Sequence, residues 1–350
     1  MSARIALLAT GGTIASRTHR AGRAVAATAT DLLEASRSPT GTVVTPIDLA
    51  ARLSSATSTD DLLDLARAVA AHAAGHDAVV VTHGTDTLEE TAFLLALVHH
   101  HDAPVVVTGA QLPLDHPETD GPANLATALE WAGRRRPGVT VAFDGQIWPA
   151  IGVRKLHTTA RRAFAVPGTG PVATTGPDGL VEHRPAPAIP PLPLPGHLPR
   201  VDVIAQYLGA DTTALDAALR ARADGLVIAA FGDGNTTPEL TRRTVALLRR
   251  GMPVAVASRV AAGPVHGHYR GAGASLADAG ALMASGLSPW QARLLLATAI
   301  AHEPEHPIRT ARRWLAAAEP CGAVTPPGPV PSSGRHPADE PEEQPCPTTA

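Results

Sequence analysis

"LLATGGTIAS", residues 7–16, carries an apolar run straight into Thr10-Gly11-Gly12-Thr13. A short run that is apolar throughout reads as a strand covered on both faces. The paired glycines allow a tight backbone path at its end that a side chain would forbid, and the next residue presents a hydroxyl. The same grammar returns in "VVVTHGT" (79–85) and "VVVTGAQ" (105–111), each a strand that runs into Thr and then Gly. In open parallel sheets the carboxyl ends of the strands share one edge, and ligands bind there. Three polar, glycine-relaxed turns on that edge predict a pocket.

The surrounding chain supports such a sheet. "RIALLA" (4–9), "DAVVVT" (77–82), "PVVVTG" (104–109) and "GVTVAF" (138–143) are short apolar strands, and helical patterns alternate with them. Residues 58–74 place Leu62, Leu65, Ala66, Val69 and Ala73 at helical spacing behind a first turn of acids. Residues 87–101 begin with Thr87 and Glu90 at capping-box spacing. The alternation predicts an α/β protein. The prolines of "RPAPAIPPLPLPGHLPR" (184–200) predict a stiff extended linker. Beyond it, "VDVIAQY" (201–207), "GLVIAAF" (225–231) and "MPVAVAS" (252–258) resume the pattern. The expected organisation is two domains. A larger, mainly parallel α/β sheet occupies 1–183, the linker 184–200, and a smaller Rossmann-like α/β domain 201–318. Residues 319–350, rich in Pro, Glu, Ser and Gly, are expected to form a disordered tail.

Totals narrow the function. With 44% hydrophobic residues among 350, the chain can bury full cores for two domains. A net charge of −3 and 3% aromatic residues offer neither the basic field nor the stacking platforms that nucleic acid needs. No apolar run reaches the length of a membrane span. Gly-Gly and a strand pattern stand where a signal peptide would have its cleavage site. Both cysteines, Cys321 and Cys346, lie in the Pro-rich end, which argues against a disulfide framework or a zinc site. The reading is a cytoplasmic protein with no nucleic-acid or membrane partner.

Several motifs have bland explanations. "HEPEH" (302–306) fits a zinc-binding pattern, but Pro304 breaks the helix that pattern requires. "HHH" (99–101) reads as a helix end and "RRR" (134–136) as a solvated helix cap. "GAGASLADAG" (271–280) lacks the preceding strand of a dinucleotide site. Lys155 is different. It is the only lysine in the chain, beside 28 arginines. Guanidinium does not give up its proton, so a solitary amine suggests a role that arginine cannot fill. A threonine hydroxyl is a poor nucleophile until a neighbour takes its proton. Thr85 and Asp86 precede a helix N-terminus, which favours a carboxylate or a developing oxyanion.

These segments resemble the bacterial-type L-asparaginase (asparaginase/glutaminase) family. The resemblance rests on "ATGGTIAS" (9–16), "THGTDTLEET" (82–91), "VTGAQLPLDHPETDGPANLATAL" (107–129) and Lys155 nine residues before Phe164. It continues more weakly through "FGDGN" (231–235) and "SRVAAG" (258–263), and spans the chain to about residue 318. It implies an amidohydrolase that converts L-asparagine to L-aspartate and ammonia without metal or organic cofactor. Thr13 matches the first catalytic threonine, usually regarded as the nucleophile. Thr85, Lys155 and Asp86 match the second catalytic group, Asp86 also holding the substrate's α-ammonium. Ser54, Ser55 and Gly84 fall in the substrate-binding set, Ser54 on the α-carboxylate. Ala110 matches the residue whose backbone receives the side-chain amide. Asn235 matches a position that reaches the site from a neighbouring subunit, so a homodimer or homotetramer is implied.

Two departures bear on specificity. The loop after the first threonine, residues 17–35, lacks the tyrosine that the family usually places there; the chain's two tyrosines are Tyr207 and Tyr269. His19 offers a substitute proton carrier or an ordinary solvated histidine. The acid many relatives supply near 264–273 is also missing. A different amide, glutamine included, and a non-catalytic amino-acid-binding module therefore stand as alternatives.

Overall fold

A computed structural model describes residues 2–20, 22–187 and 189–318. The expected tail, with both cysteines, lies outside the described residues. The chain opens with β1 (Ala3–Gly11), the hairpin β2 (Ser16–His19) and β3 (Gly22–Val25), α1 (Ala29–Ala35) and β4 (Thr42–Arg52). It alternates through α2 (Thr59–Ala73), β5 (Ala78–Thr82), α3 (Leu88–Val98), β6 (Val105–Thr108), α4 (Gly121–Gly133) and β7 (Val139–Phe143). β8 (Gln146–Pro149), β9 (Arg154–Lys155), β10 (Phe164–Ala165), β11 (Ala173–Gly176) and β12 (Gly179–Glu182) follow.

Eight of these strands form one sheet in the order β12-β11-β8-β7-β6-β5-β1-β4. The five from β7 to β4 are parallel, and β8, β11 and β12 extend the sheet antiparallel. Side chains alternate across it. Ile5, Leu7, Val80 and Val106 belong to the core that includes α4, whereas Ala6, Leu8, Val79, Val81 and Val107 belong to the core that includes α2 and α3. Because both faces are covered, β5, β6 and β7 are buried along their whole length.

The second sheet is built from β13 (Val201–Ala205), α5 (Thr213–Arg220), β14 (Gly225–Ala230), α6 (Pro238–Arg249), β15 (Val254–Ser258), α7 (Gly273–Asp278) and β16 (Leu282–Met283). Its four strands are parallel and lie in sequence order. The last elements are α8 (Pro289–His302) and α9 (Pro307–Ala318). α8 is apolar on nearly every side because it packs against α3 and against the second sheet at once. One apolar cluster therefore runs from Val81 and Phe93 through Leu295 to Val227 and Ala255. The Pro-rich segment is fastened to it: the Leu192 N–H donates to the Leu97 carbonyl at 2.7 Å, and Leu192, Leu194 and Leu198 pack on the cluster.

One local expectation is overturned. Thr87 begins α3, but no capping box with Glu90 forms. Its hydroxyl donates instead to the Ser54 carbonyl at 3.1 Å, fastening the helix start to a neighbouring turn. Reciprocal capping boxes form at Thr28 with Asp31 and at Ser58 with Asp61.

Candidate active site

In the parallel part of the sheet, the order β4-β1-β5 makes the gap between β1 and β5 the point where the chain reverses direction across the sheet. A crevice at the carboxyl ends of the strands is expected there. Hydrogen bonds sew this edge together. Gly12 N–H donates to Arg52 O at 2.9 Å, Thr10 Oγ1 to Thr82 O at 2.9 Å, His83 N–H to Thr108 O at 2.8 Å, and Thr108 Oγ1 to Ala142 O at 2.8 Å.

Glycine is required at two points of the first turns. Gly12 has φ 81°, and a Cβ there would fall 2.3 Å from Gly84 Cα. A Cβ on Gly84 would fall 2.6 Å from Ser54 Oγ. The first turn, the second turn and the Ser54 turn therefore stack backbone to backbone. Thr13 and Thr85 are each the next residue after one of these glycines. The Thr13 hydroxyl has no hydrogen-bond partner among the described residues, while Ser16 Oγ behind it donates to Gly12 O at 2.9 Å.

Thr85, with only 5% of its surface exposed, meets the lone lysine. Lys155 Nζ donates to Thr85 Oγ1 at 2.8 Å and to Asp86 Oδ1 at 3.1 Å. The ammonium-bearing side chain is 18% exposed and the carboxylate 63%. Attraction across so open a pair is modest; its value lies in aiming the amine at the hydroxyl.

The backbone beneath that amine is held by residues that sequence reasoning missed. Glu89 is buried on α3, and its Oε2 accepts the Lys155 N–H at 2.7 Å. Its Oε1 accepts from Ser288 Oγ at 3.3 Å at the start of α8. Burial raises the Glu89 pKa, opposed by the Lys155 N–H, the Arg154 charge and Ser288. Gln291, fully buried on α8, donates to Val153 O at 3.0 Å and accepts from Gly152 N–H at 3.2 Å. Arg154 donates to Ala261 O at 2.6 Å and Gly286 O at 2.8 Å. Lys155 thus sits on a strip clamped between the two sheets' structures. An acid in the first turn of a helix reads as dipole compensation, which hid Glu89.

The third turn is locked similarly. Asp120 accepts the N–H groups of Gln111 and Leu112 at 3.0 and 2.9 Å. Asn124 Nδ2 donates to Gly109 O at 2.9 Å and to Asp120 Oδ2 at 3.1 Å. Ala110 lies between these anchors, fully buried. Of the remaining sequence candidates, Ser54 is buried and Ser55 exposed on the turn after β4. His19 is exposed at the end of β2, opposite Gly22 in the hairpin. Asn235 follows β14 on the other sheet, bridged to Phe231, and its Oδ1 is buried without a partner. A cavity of about 190 Å³ lies behind the turns, lined in part by Thr10, Arg52, Asp61 and His83; neither candidate threonine lines it.

With this geometry in view, comparison with known proteins is specific. Residues 4–187 match the family "Asparaginase, N-terminal", and residues 200–314 match "Glutaminase/Asparaginase C-terminal domain". The chain belongs to the asparaginase family. A probable L-asparaginase of Deinococcus radiodurans is 40% identical over 308 residues, covering 84% of this chain and 91% of that protein. The thermostable L-asparaginase of Thermococcus kodakarensis superposes with a TM-score of 0.81 at 28% identity, covering 90% of this chain and 98% of the other. A probable cytoplasmic L-asparaginase of Campylobacter jejuni gives the same TM-score at 30% identity, covering 90% and 99%. The family, the mixed α/β architecture and the separate parallel sheet at the C-terminal end agree with the sequence reading.

Proposed function

We propose that this protein hydrolyses L-asparagine to L-aspartate and ammonia with its two threonines in successive steps. The observation that carries the reading is the bond from the only lysine to the Thr85 hydroxyl, oriented by Asp86. In the first step the Thr13 oxygen bonds to the side-chain amide carbon and the C–N bond breaks. The proton that the Thr13 hydroxyl loses passes to the leaving nitrogen, which departs as ammonia. The backbone around Ala110 holds the amide, and the oxyanion gains from N–H donors aimed at it. In the second step the Lys155 nitrogen acts as the unprotonated amine: water passes a proton through the Thr85 hydroxyl to it, the water oxygen bonds to the ester carbon, the carbon–Thr13 oxygen bond breaks, and the same proton returns to the Thr13 oxygen. Asp86 receives the α-ammonium, and Ser54, Ser55 and Gly84 frame the α-carboxylate.

The family membership and the similar L-asparaginases support the reaction; the burial of Thr85 and the free hydroxyl of Thr13 support the division of roles. We place the protein in the cytoplasm, with support from the similar Campylobacter protein; no described helix is long and apolar enough to cross a membrane. We also propose a homodimer or homotetramer in which Asn235 completes a neighbour's site. Exposed Tyr207, Leu208, Tyr269 and Trp290 on the C-terminal half support this. We also propose that residues 1–183 and 201–318 form the two domains that the linker 184–200 joins.

Ammonia release from asparagine, glutamine and simple amides tests the substrate. Intact-mass analysis tests the roles: after mixing with asparagine, Thr85→Val should accumulate an aspartyl adduct that Thr13→Ala never forms. An adduct on the Thr13→Ala protein would assign the attack elsewhere, and aspartate binding without hydrolysis of any amide would leave a binding module.

A further inference from the structure

The loop "PVHGHYRGAG" (264–273) returns to the turn after β14 and places two histidines on one carboxylate. His268 Nδ1 lies 2.6 Å from Asp233 Oδ2, and His266 Nδ1 lies 3.7 Å from Asp233 Oδ1. One donor atom from each of the three residues lies within 4.8 Å of the others. The imidazoles are more than half exposed, at 54% and 73%, whereas the carboxylate is 27% exposed.

Backbone donors orient the carboxylate. It accepts backbone N–H groups from His266, at 2.5 Å, and from Gly267 and His268, at 3.3 Å each.

The loop around it is also fixed. Gly267 has φ 76° and lies so close to Gly273 that a Cβ would meet the Gly273 oxygen at 2.8 Å. Gly234 has φ 91°, and a Cβ there would meet Val265 at 2.9 Å. The backbone that carries the three donors is thus interlocked at Gly234, Gly267 and Gly273.

We propose that Asp233, His266 and His268 form a binding site for a divalent transition-metal ion, with zinc as the best match. Two neutral imidazoles and one carboxylate suit zinc, which prefers bonds of about 2.0–2.2 Å to such atoms and a tetrahedral shell. Those bonds separate neighbouring ligand atoms by roughly 3.3–3.5 Å; the two rings now approach different Asp233 oxygens, at 2.6 and 3.7 Å, and one ligand atom from each residue lies within 4.8 Å of the others, so side-chain rotation alone closes the set on one ion. Binding replaces the ring-to-carboxylate hydrogen bond with two metal bonds and leaves the fourth position to water on the open side. The ion would staple the 264–273 loop to the β14 turn, two residues from Asn235. The test reads metal binding and not ammonia release, so it stands or falls independently of the hydrolytic reading.

The test uses the full chain without an added histidine tag. Zinc is titrated against a chromogenic chelator, and copper(II) is added for electron paramagnetic resonance. One equivalent of zinc per chain is expected, with an upward shift in Tm on binding. His266→Ala with His268→Ala should abolish that equivalent, while His100→Ala with His101→Ala and Cys321→Ser with Cys346→Ser should keep it. The copper spectrum should show two nitrogen donors and lose one in each single histidine variant. The melting curve of the metal-free double variant checks that the loop change leaves the fold intact. Absence of a stoichiometric zinc site, or one that survives in the double variant, overturns the proposal.

Discussion

Gly12 and Gly84 occupy a space in which one added methyl group has no room: a Cβ on Gly12 would fall 2.3 Å from Gly84 Cα. Both partners are backbone, so neither can swing aside. Gly12→Ala must also hold φ near 81°, which L-residues adopt at a cost. Overpacking and backbone strain together should lower stability by about 3 kcal/mol. Because the displaced strand ends carry both threonines, ammonia release should fall more than stability alone explains. Urea titration and turnover measured below the unfolding transition check this. A variant with native turnover would mean that the two turns are free to separate.

Among the described residues the Lys155 amine bonds to Thr85 and Asp86, and no other hydrogen bond there depends on it. Lys155→Met should therefore reduce kcat about 1000-fold, in the range for loss of a positioned acid or base, with little change in melting temperature. Lys155→Arg should not rescue it, since guanidinium stays protonated. Recovery of more than a tenth of the activity in the arginine variant would reduce the lysine to a charge.

The legible parts of this chain are those in which one physical demand dominates. The strands β1, β5, β6 and β7 must be apolar on both faces, and their sequences say so without ambiguity. The Thr-Gly turns announce the sheet edge because only glycine permits their stacking. β4 escaped notice because its exposed face alternates and it carries Pro46, which an edge strand tolerates. The Thr87 capping box had the right spacing, yet the Ser54 carbonyl, distant in sequence, competed for the same hydroxyl and won. Glu89 and Gln291 were invisible for a related reason. Their partners, Lys155 and Val153, lie 66 and 138 positions away, and no local pattern encodes such a pairing.

Glu89 tests that hidden support. Glu89→Ala leaves the buried Lys155 N–H and the Ser288 hydroxyl without their acceptor, a loss of about 2 kcal/mol. The strip that carries the lysine should shift, lowering kcat about tenfold while KM changes little. Glu89→Gln keeps one carbonyl oxygen for the Lys155 N–H and should recover most of both. Equal damage in the two variants would point to the charge, and not the hydrogen bond, as the feature that matters.

His83 links this edge to pH. It is buried beside Gly84, where loss of solvation lowers its pKa below the usual value and the Gly84 carbonyl only partly opposes the shift. Its Nδ1–H donates to Gly84 O at 2.8 Å, and Nε2 faces the Thr91 hydroxyl at 3.2 Å, so the neutral ring is fully satisfied. The unfolded chain takes up a proton near pH 6.5, which the native ring resists. Stability from this group is therefore complete above that pH and is lost as pH falls toward the depressed native value. The limiting slope for one such group is about 1.4 kcal/mol per pH unit. Glu89 and Glu90, whose pKa values burial raises above 4.5, act with opposite sign: their contribution is present below that pH and is lost as pH rises through the raised native values. Urea unfolding at pH 7.5 and 5.5 should show a larger loss for the native chain than for His83→Gln, by about 1 kcal/mol. Identical losses in the two proteins would show that the ring titrates alike in the folded and unfolded chain.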